Sequence, residues 1–591
     1  MEGRIMLHEL EGVMDRAVEN IFQNQKLNRY WNGDIYYNAY PTAVALITNK
    51  ILNISEPEWE RKALAWIAAH QRADGSWGLL DKETPPHPDL TENEIADILE
   101  VKAASARNTV VCLLALEIYG GYGDHVKKAK RYMKQVDEKY IDPFTDLFLA
   151  YFGRKKWEDI AIPPIEVMLA PKHTKFYFKT FIPAWVRDGA MGGIIVKTLK
   201  EKKFLSSPFR KMAIKKAEKS LLENQLSNGG WFGTFQPSVY PMLALKELGY
   251  DINSNVMQKG LAFLRSRRNP ESGYVHRFWL SVWDTSLTLL ALKSAGIPDN
   301  DQRVQGAVDF LIHSRFPSNA WGFCPEVDIY PDCDDTSVTI QALDGYYKNH
   351  EYLRQSVEWL IGMQNSDGGW GAFIRNQAEK KPGTLPTSVE DSLVILKDPA
   401  CADITGHVLR ALGENGYTVK DKPVKRALAF LKRDQLPSGA WYGRWGLCYI
   451  YAVSRVLRGL YAVREDMDQP YIQKAVNWLL EHQNLDGGWG EHYLAYFKEE
   501  YGGVGSSSPV QTAWAVSALL LVKSPHDKAV QRGVRYLLDT QTEDGNWPSP
   551  HTVGALEIYE NTNYAKIFPL MALGDYRSSL ALESEKGGIA E

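Results

Sequence analysis

Three carboxylates fall within four positions of the run Tyr330-Pro331-Asp332-Cys333-Asp334-Asp335-Thr336-Ser337-Val338. Pro331 ahead of them and the apolar Val338, Ile340, Ala342 and Leu343 behind them mark a helix start. Aspartates at such a place serve as N-caps and complement the helix dipole, so a structural reading stands beside a chemical one. Chemically, crowded carboxylates cannot all ionise cheaply: one keeps its proton to higher pH, while the helix N-terminus pulls the other way. A carboxyl kept neutral and aimed into a cavity is a strong general acid. Other chemistries lack their signatures. There is no G-x-S-x-G, H-E-x-x-H or P-loop. The loop after Asp332 lacks the sixth-position glycine of a calcium hand, and Asp334-Asp335-Thr336-Ser337-Val338 lacks the third aspartate of D-D-x-x-D. His407, in the apolar stretch Asp403-Ile404-Thr405-Gly406-His407-Val408-Leu409, reads by itself as a core histidine.

The elements that must position these residues repeat. A helical apolar segment, a glutamine, a short polar turn with glycine and a tryptophan recur from Gln71 to Trp77, Gln225 to Trp231, Gln364 to Trp370, Gln435 to Trp441, Gln483 to Trp489 and Gln541 to Trp547. Gln25 to Trp31 keeps the spacing without the glycine, and Asn319-Ala320-Trp321 is a copy lacking its glutamine. The segment Lys474-Ala475-Val476-Asn477-Trp478-Leu479-Leu480 has its apolar residues at helical spacing, and the glycine of the turn is expected to stop the helix in the left-handed conformation. Helical hairpins in series stack as an open solenoid or close into a barrel of inner and outer helices. A spacing shared by every copy marks scaffold, so the repeat tryptophans are read as structural. The copies are dense from about residue 300 onward, whereas the N-terminal half has fewer and includes an irregular, proline-rich stretch near 140 to 210; two helical domains follow, with the boundary expected near 270 to 280, in the Arg267-Arg268-Asn269-Pro270-Glu271-Ser272-Gly273 turn.

Composition bounds the rest. The 591 residues are 45% hydrophobic and 24% charged with a net charge of -4, which excludes a global basic field for nucleic acid. Tryptophan is in excess, 18 against 12 methionines, as a repeated structural use or an aromatic-lined cavity requires. Cys112, Cys324, Cys333, Cys401 and Cys448 are scattered without a C-x-x-C pair, as expected of a reducing cytosol. The first ten residues do not form a secretory signal, and no run of about 20 apolar residues exists to span a membrane. A cytoplasmic protein is expected, with peripheral contact to the inner face of the membrane left open.

Asp332-Cys333-Asp334-Asp335-Thr336 resembles the D-x-D-D-T signature of class II terpenoid cyclases, and the glutamine-to-tryptophan repeat resembles the QW motif of the squalene-hopene cyclase and oxidosqualene cyclase superfamily. The likeness covers nearly the whole chain and extends to Val282-Trp283-Asp284-Thr285 and Trp441-Tyr442-Gly443-Arg444-Trp445-Gly446. It implies an all-α protein of two (α/α) barrels enclosing a central apolar cavity, with residues 1-32 plus 279-591 forming the barrel of the acid motif and 33-278 the other. The implied reaction is protonation of a terminal alkene by Asp334, with Asp332 and Asp335 keeping it protonated and oriented, His407 hydrogen-bonding to it, Asp403 supporting His407, and Tyr451 near the acid. The implied lining is Trp185, Trp283, Phe323, Phe373, Trp445 and Tyr564, with Gln236 beside the water that ends the cascade. The implied substrate is a linear apolar polyprenyl chain, squalene by family default. Neither cofactor nor metal is implied, no nucleic acid is bound, and a homodimer is left open.

Three departures qualify the likeness. Val553-Gly554-Ala555-Leu556-Glu557-Ile558-Tyr559 lacks the two phenylalanines of hopene-forming enzymes, an acidic family position maps to about Val44, and residues 196 to 215 are short and basic where the family inserts a longer apolar segment. They leave room for a tetraprenyl sesquarterpene precursor or a prenylated aromatic (meroterpenoid) substrate. Two rival readings are a zinc-dependent protein prenyltransferase, from Asp332, Cys333 and His407, and a non-catalytic helical repeat protein that binds a hydrophobic ligand.

Overall fold

The computed structural model describes residues 2–36, 38–78, 90–91, 94–95, 99–137, 141–171, 178, 182, 184–201, 207–327, 330–347, 350–376, 398–548, 553–554 and 558–588. Almost all of its regular structure is helical. In chain order the α-helices are α1 (Glu2–Gln23), α2 (Tyr40–Leu52), α3 (Pro57–Ala69), α4 (Leu99–Tyr119), α5 (Gly123–Met133), α6 (Pro143–Tyr151), α7 (Ala184–Glu201), α8 (Pro208–Glu223), α9 (Phe235–Glu247) and α10 (Asn255–Ser266). They continue as α11 (Ser281–Ser294), α12 (Gln302–His313), α13 (Cys333–Leu343), α14 (His350–Gly362), α15 (Ala402–Glu414), α16 (Lys422–Asp434), α17 (Tyr449–Ala462), α18 (Pro470–Glu481), α19 (Pro509–Leu519), α20 (Lys528–Asp539) and α21 (Tyr564–Gly588).

Two helix types alternate, and side-chain pattern sets which is which. In α19, PVQTAWAVSAL is buried at every position. In α20, KAVQRGVRYLLD buries only Val530, Gly533, Val534, Leu537 and Leu538, one stripe at three- and four-residue spacing. Helices of the first type close on themselves. The helices α11, α13, α15, α17, α19 and α21 each pack on the next, and α21 returns to α11; the amphipathic α12, α14, α16, α18, α20 and α1 lie outside them. A second ring runs α2, α4, α6, α7, α9 and back to α2. Each ring has its own hydrophobic core, one dominated by residues from Leu280 to Tyr576 together with α1, the other by residues from Ala39 to Val275. The fold is thus all-α, two α/α barrels, with a small antiparallel sheet of β1 (Ile35–Tyr36), β2 (Val553–Gly554) and β3 (Ile558–Asn561) in the order β1-β3-β2.

The repeat acts as a set of identical staples. In every copy the indole Nε1 donates to the carbonyl ten residues earlier, at 2.7 to 2.8 Å: Trp77 to Ile67, Trp370 to Leu360, Trp489 to Leu479. The glutamine amide donates twice, to the turn glycine and to the first turn of the next outer helix, as Gln364 does to Gly368 and Pro423. The tryptophan backbone N–H is taken up by a hydroxyl on the next inner helix, Thr405 for Trp370 and Thr336 for Trp321. Thr336, the last residue of the acid motif, is therefore part of the staple.

Two expectations change here. The turn glycine does not end the helix, which stops before the glutamine. Gly487, at φ +92°, lies in the following turn, where an added Cβ would stand 2.7 Å from the Arg532 carbonyl oxygen of the next outer helix. Close approach of backbone is what selects glycine. The copy ending at Trp321 has not lost its first member either: Arg315 occupies the glutamine position, and its guanidinium Nη1 donates to the Tyr352 carbonyl at 2.7 Å.

Candidate active site

The N-terminal ends of α2, α6, α7 and α9 in one ring and of α11, α13 and α21 in the other line a cavity of about 320 Å³. Tyr40 of α2, Val186 and Gly189 of α7 and Gln236 of α9 line one side, and Trp283 of α11, Asp332, Asp334 and Asp335 at the start of α13 and Tyr564 of α21 line the other. Because each staple delivers the chain to the first turn of an inner helix, the repeat aims successive helix starts at this space.

Asp332 is the N-cap of α13, accepting from the Asp335 backbone N–H at 2.7 Å. Asp334, two positions on, turns to α15: its Oδ1 lies 2.5 Å from Nδ1 of the buried His407. The three carboxylates therefore differ by geometry. Asp332 and Asp335 are deeply buried, and Oδ2 of the first and Oδ1 of the second have no partner among the described residues. Burial pushes the Asp335 carboxyl up to about 7 and Asp332 well above the carboxylate range, Asp332 being raised further by the Asp335 charge. Asp403, one turn before His407 on α15, accepts from the Trp445 backbone N–H at 2.8 Å, with no hydrogen bond to the imidazole. The turn before α17 supplies the donor to its carboxylate, and the link of Asp403 to His407 is through charge.

Aromatic rings surround the acid. Trp283 donates from Nε1 to Tyr564 Oη at 2.7 Å and stands edge-on to the His407 ring at 5.9 Å. Tyr451 flanks His407 from the far side at 6.1 Å, behind the cavity wall. Phe373 meets Trp445 at 6.0 Å, and Phe323 and Phe373 both pack on Phe232. Gln236 is on the wall, with Oε1 unpartnered among the described residues. The Trp185 side chain lies outside the described residues, as do residues 202–206 and 555–557.

Several lining residues were not legible from spacing. Phe232 follows the staple Trp231 and reaches the cavity through a left-handed backbone, φ +54°, uncommon for a non-glycine residue. Tyr559, on β3, closes the stretch that lacks phenylalanines and restores an aromatic ring to it. Tyr40, Tyr240 and Arg107 come from the facing barrel and carry no local pattern that marks them. Asp284, quoted above beside Trp283, is fully buried and accepts from the Gly33 N–H and the Asn561 amide, tying the N-terminal segment and β3 to α11. Among the described residues, no group of three or more His, Cys, Asp or Glu is placed to hold a metal ion, and no helix is long and apolar enough to cross a membrane.

Family models match both parts of the chain. The squalene-hopene cyclase C-terminal domain matches residues 280–578, and the squalene-hopene cyclase N-terminal domain matches 14–90 and 193–268. The chain belongs to the squalene-hopene cyclase family. The squalene-hopene cyclase of Alicyclobacillus acidocaldarius is 31% identical over 96% of this chain and 97% of its own length, and that of Bradyrhizobium diazoefficiens is 30% identical over 98% and 96%. The fold is shared with ent-copalyl diphosphate synthase from Streptomyces platensis, at a TM-score of 0.55 and 14% identity over 96% of this chain and 99% of that one. This cyclase is therefore a terpene cyclase of class II, in which protonation starts the cyclisation of a linear polyprenyl substrate.

Proposed function

We propose that Asp334 is the general acid and that its substrate is squalene or a related linear polyene. The observation that carries the assignment is that Asp334, alone among the three aspartates, is hydrogen-bonded to a histidine while also lining the apolar cavity. The Asp334 O–H adds its proton to the terminal alkene; the alkene π pair forms the new C–H bond and leaves a tertiary cation. Each further alkene π pair then closes a C–C bond, until a proton leaves beside the last cation or water adds and loses one. The hydrogen bond from His407 holds the Asp334 carboxylate left behind. Asp332 and Asp335, both raised by burial, flank the acid and keep it protonated and oriented. Tyr451 packs edge-on against the imidazole, and Asp403 acts on it by charge. Water exclusion keeps the acid's field weakly screened. Trp283, Phe323, Phe373, Trp445 and Tyr564 offer rings to successive cations, each worth about 0.5 to 2 kcal/mol when desolvated.

A second substrate reading has its own support. The wall opposite the acid is polar: the Arg107 guanidinium sits 5.0 Å from the Tyr40 ring, and Asp142, Tyr240 and the unpartnered Gln236 Oε1 join it. Such an end suits the head group of a prenylated aromatic acid better than a second hydrocarbon terminus; a tetraprenyl sesquarterpene precursor is the third candidate. Incubation with squalene, a tetraprenyl polyene and a prenylated aromatic acid, with products identified by mass spectrometry, separates them. Conversion of squalene in preference to the others supports the first reading, and conversion of the prenylated acid alone replaces it with the second. We also infer that the chain divides into 1-32 plus 279-591 and 33-278, which the two separate cores support.

Peripheral membrane contact is proposed through α8. Phe209 and Met212 are 67% and 51% exposed there, beside the exposed Lys211, Lys215, Lys216 and Lys219. Apolar side chains ringed by lysines suit an anionic bilayer surface, each lysine adding about 1 kcal/mol. Binding to vesicles containing phosphatidylglycerol is expected to exceed binding to neutral vesicles and to weaken at least about tenfold in Phe209→Ser/Met212→Ser, a loss of about 1.4 kcal/mol. Equal binding to both vesicle types would sink this contact.

A further inference from the structure

Behind the acid, inside the ring of α11 to α21, lies a cation that the mechanism above does not use. Arg455 sits one turn beyond Tyr451 on α17 and is 4% exposed. Its guanidinium carbon is 5.2 Å from the centroid of the Tyr451 ring and 5.6 Å from that of Phe568. Its one hydrogen bond among the described residues runs from Nη2 to Ser454 Oγ at 3.0 Å, and Nε has no partner. The neighbouring ions are paired elsewhere: Arg458 with Asp575, which also accepts from Ser517, and Arg410 with Glu414. The charged and titratable groups that act most on Arg455 are Tyr451 and Arg458 of its own helix, Arg410 of α15 and Tyr564 of α21, none of them a carboxylate. The remaining inner neighbour, α19, reads PVQTAWAVSAL and carries no charge.

An unpaired buried guanidinium is costly, and a well-packed apolar residue normally serves stability better. Burial lowers its pKa to about 10, which still leaves it charged at neutral pH. The backbone brings it close to the site. Gly406 precedes His407, and a Cβ on Gly406 would stand 2.6 Å from the Arg455 carbonyl oxygen, so α15 and α17 touch at this level. Guanidinium, Tyr451 ring, imidazole and Asp334 carboxyl then follow one another, at 5.2, 6.1 and 2.5 Å for the successive contacts.

We propose that Arg455 is a positioning residue for acid strength: its fixed charge acts across Tyr451 and His407 to stabilise the carboxylate that Asp334 becomes on giving up its proton. The inference rests on Asp334 being the acid. A cation held in a dry interior is weakly screened and favours the anionic member of a nearby acid–base pair. With the charge in place Asp334 is the stronger acid, and it also ionises at lower pH.

That combination gives a signature which packing alone does not produce. In Arg455→Met the acid is weaker yet holds its proton longer, so kcat on the low-pH plateau falls about tenfold while the alkaline limb of the pH–rate profile moves to higher pH, with KM unchanged. Arg455→Lys retains the charge and restores most of the rate and the limb. Thermal unfolding is followed in parallel; removal of an unpaired buried charge is expected to leave the transition unchanged or raised. A limb that stays in place in Arg455→Met, whatever happens to the rate, overturns the proposal. Asp334→Asn assayed with the same substrate distinguishes the two failures: if it remains active, the acid assignment itself is wrong, whereas an inactive Asp334→Asn with an unmoved limb in Arg455→Met removes only the role of Arg455.

Discussion

Asp334→Asn is expected to lower turnover at least about 10³-fold while the protein keeps its fold, since general acid contributions run to 10²–10⁴ and no neighbouring group can substitute. The amide is isosteric with the carboxyl and can still meet His407 Nδ1, 2.5 Å from Oδ1 in the native site, but it has no acidic proton to give. Asp335 and Asp332 do not take over, although both line the cavity and both are pushed toward the neutral form. Asp332 is committed to the cap of α13, and neither is hydrogen-bonded to the histidine that holds the conjugate base. Single-turnover product formation measures the first quantity, and circular dichroism with the thermal transition measures the second. Activity within tenfold of wild type, with fold retained, would remove Asp334 from the role given to it.

Trp370→Ala is expected to destabilise the protein by about 3–5 kcal/mol, the range for truncating a buried large aromatic side chain. The indole is completely buried; its Nε1 donates to the Leu360 carbonyl of α14, and its backbone N–H donates to Thr405 of α15. The loss reaches the acid as well. Two residues on, the Ala372 carbonyl accepts from the Cys333 backbone N–H at 2.8 Å, which ties the staple to the first turn of α13. Trp370→Phe keeps most of the apolar volume and forfeits the indole hydrogen bond, an effect of about 1 kcal/mol. The midpoint of urea unfolding reads both. A Trp370→Ala shift no larger than that of Trp370→Phe would mean that the staple is not what holds α14 to α15.

Much of this was legible in the chain because it is local. Glutamine and tryptophan stand six positions apart in each copy, so helix and turn could be inferred from spacing, whereas the inner hydroxyl could not. The acid cluster lies within four consecutive positions, and its N-cap geometry follows from Pro331 and the apolar run behind it. Local reasoning failed where one bond can be made by different chemistry. Arg315 makes the hydrogen bond of a repeat glutamine, so the copy looked incomplete, and Asp403, expected to support His407, accepts its hydrogen bond from the Trp445 backbone N–H.

The amino-acid sequence by itself determined the alternation of fully buried and one-sided helices, the glutamine-turn-tryptophan segments that follow the outer ones and the presence of a crowded carboxylate helix start, since each depends on neighbours no more than about ten positions away. Only the tertiary structure decided that the inner helices close into two rings, that helix starts from both rings face one cavity, that Asp334 and not its neighbours meets a histidine 73 positions away, and that Arg455, with no ion-pair partner among the described residues, stands behind them. The reason is physical: those outcomes depend on which apolar faces bury one another across hundreds of residues, and helical periodicity states that a face is buried without stating against what.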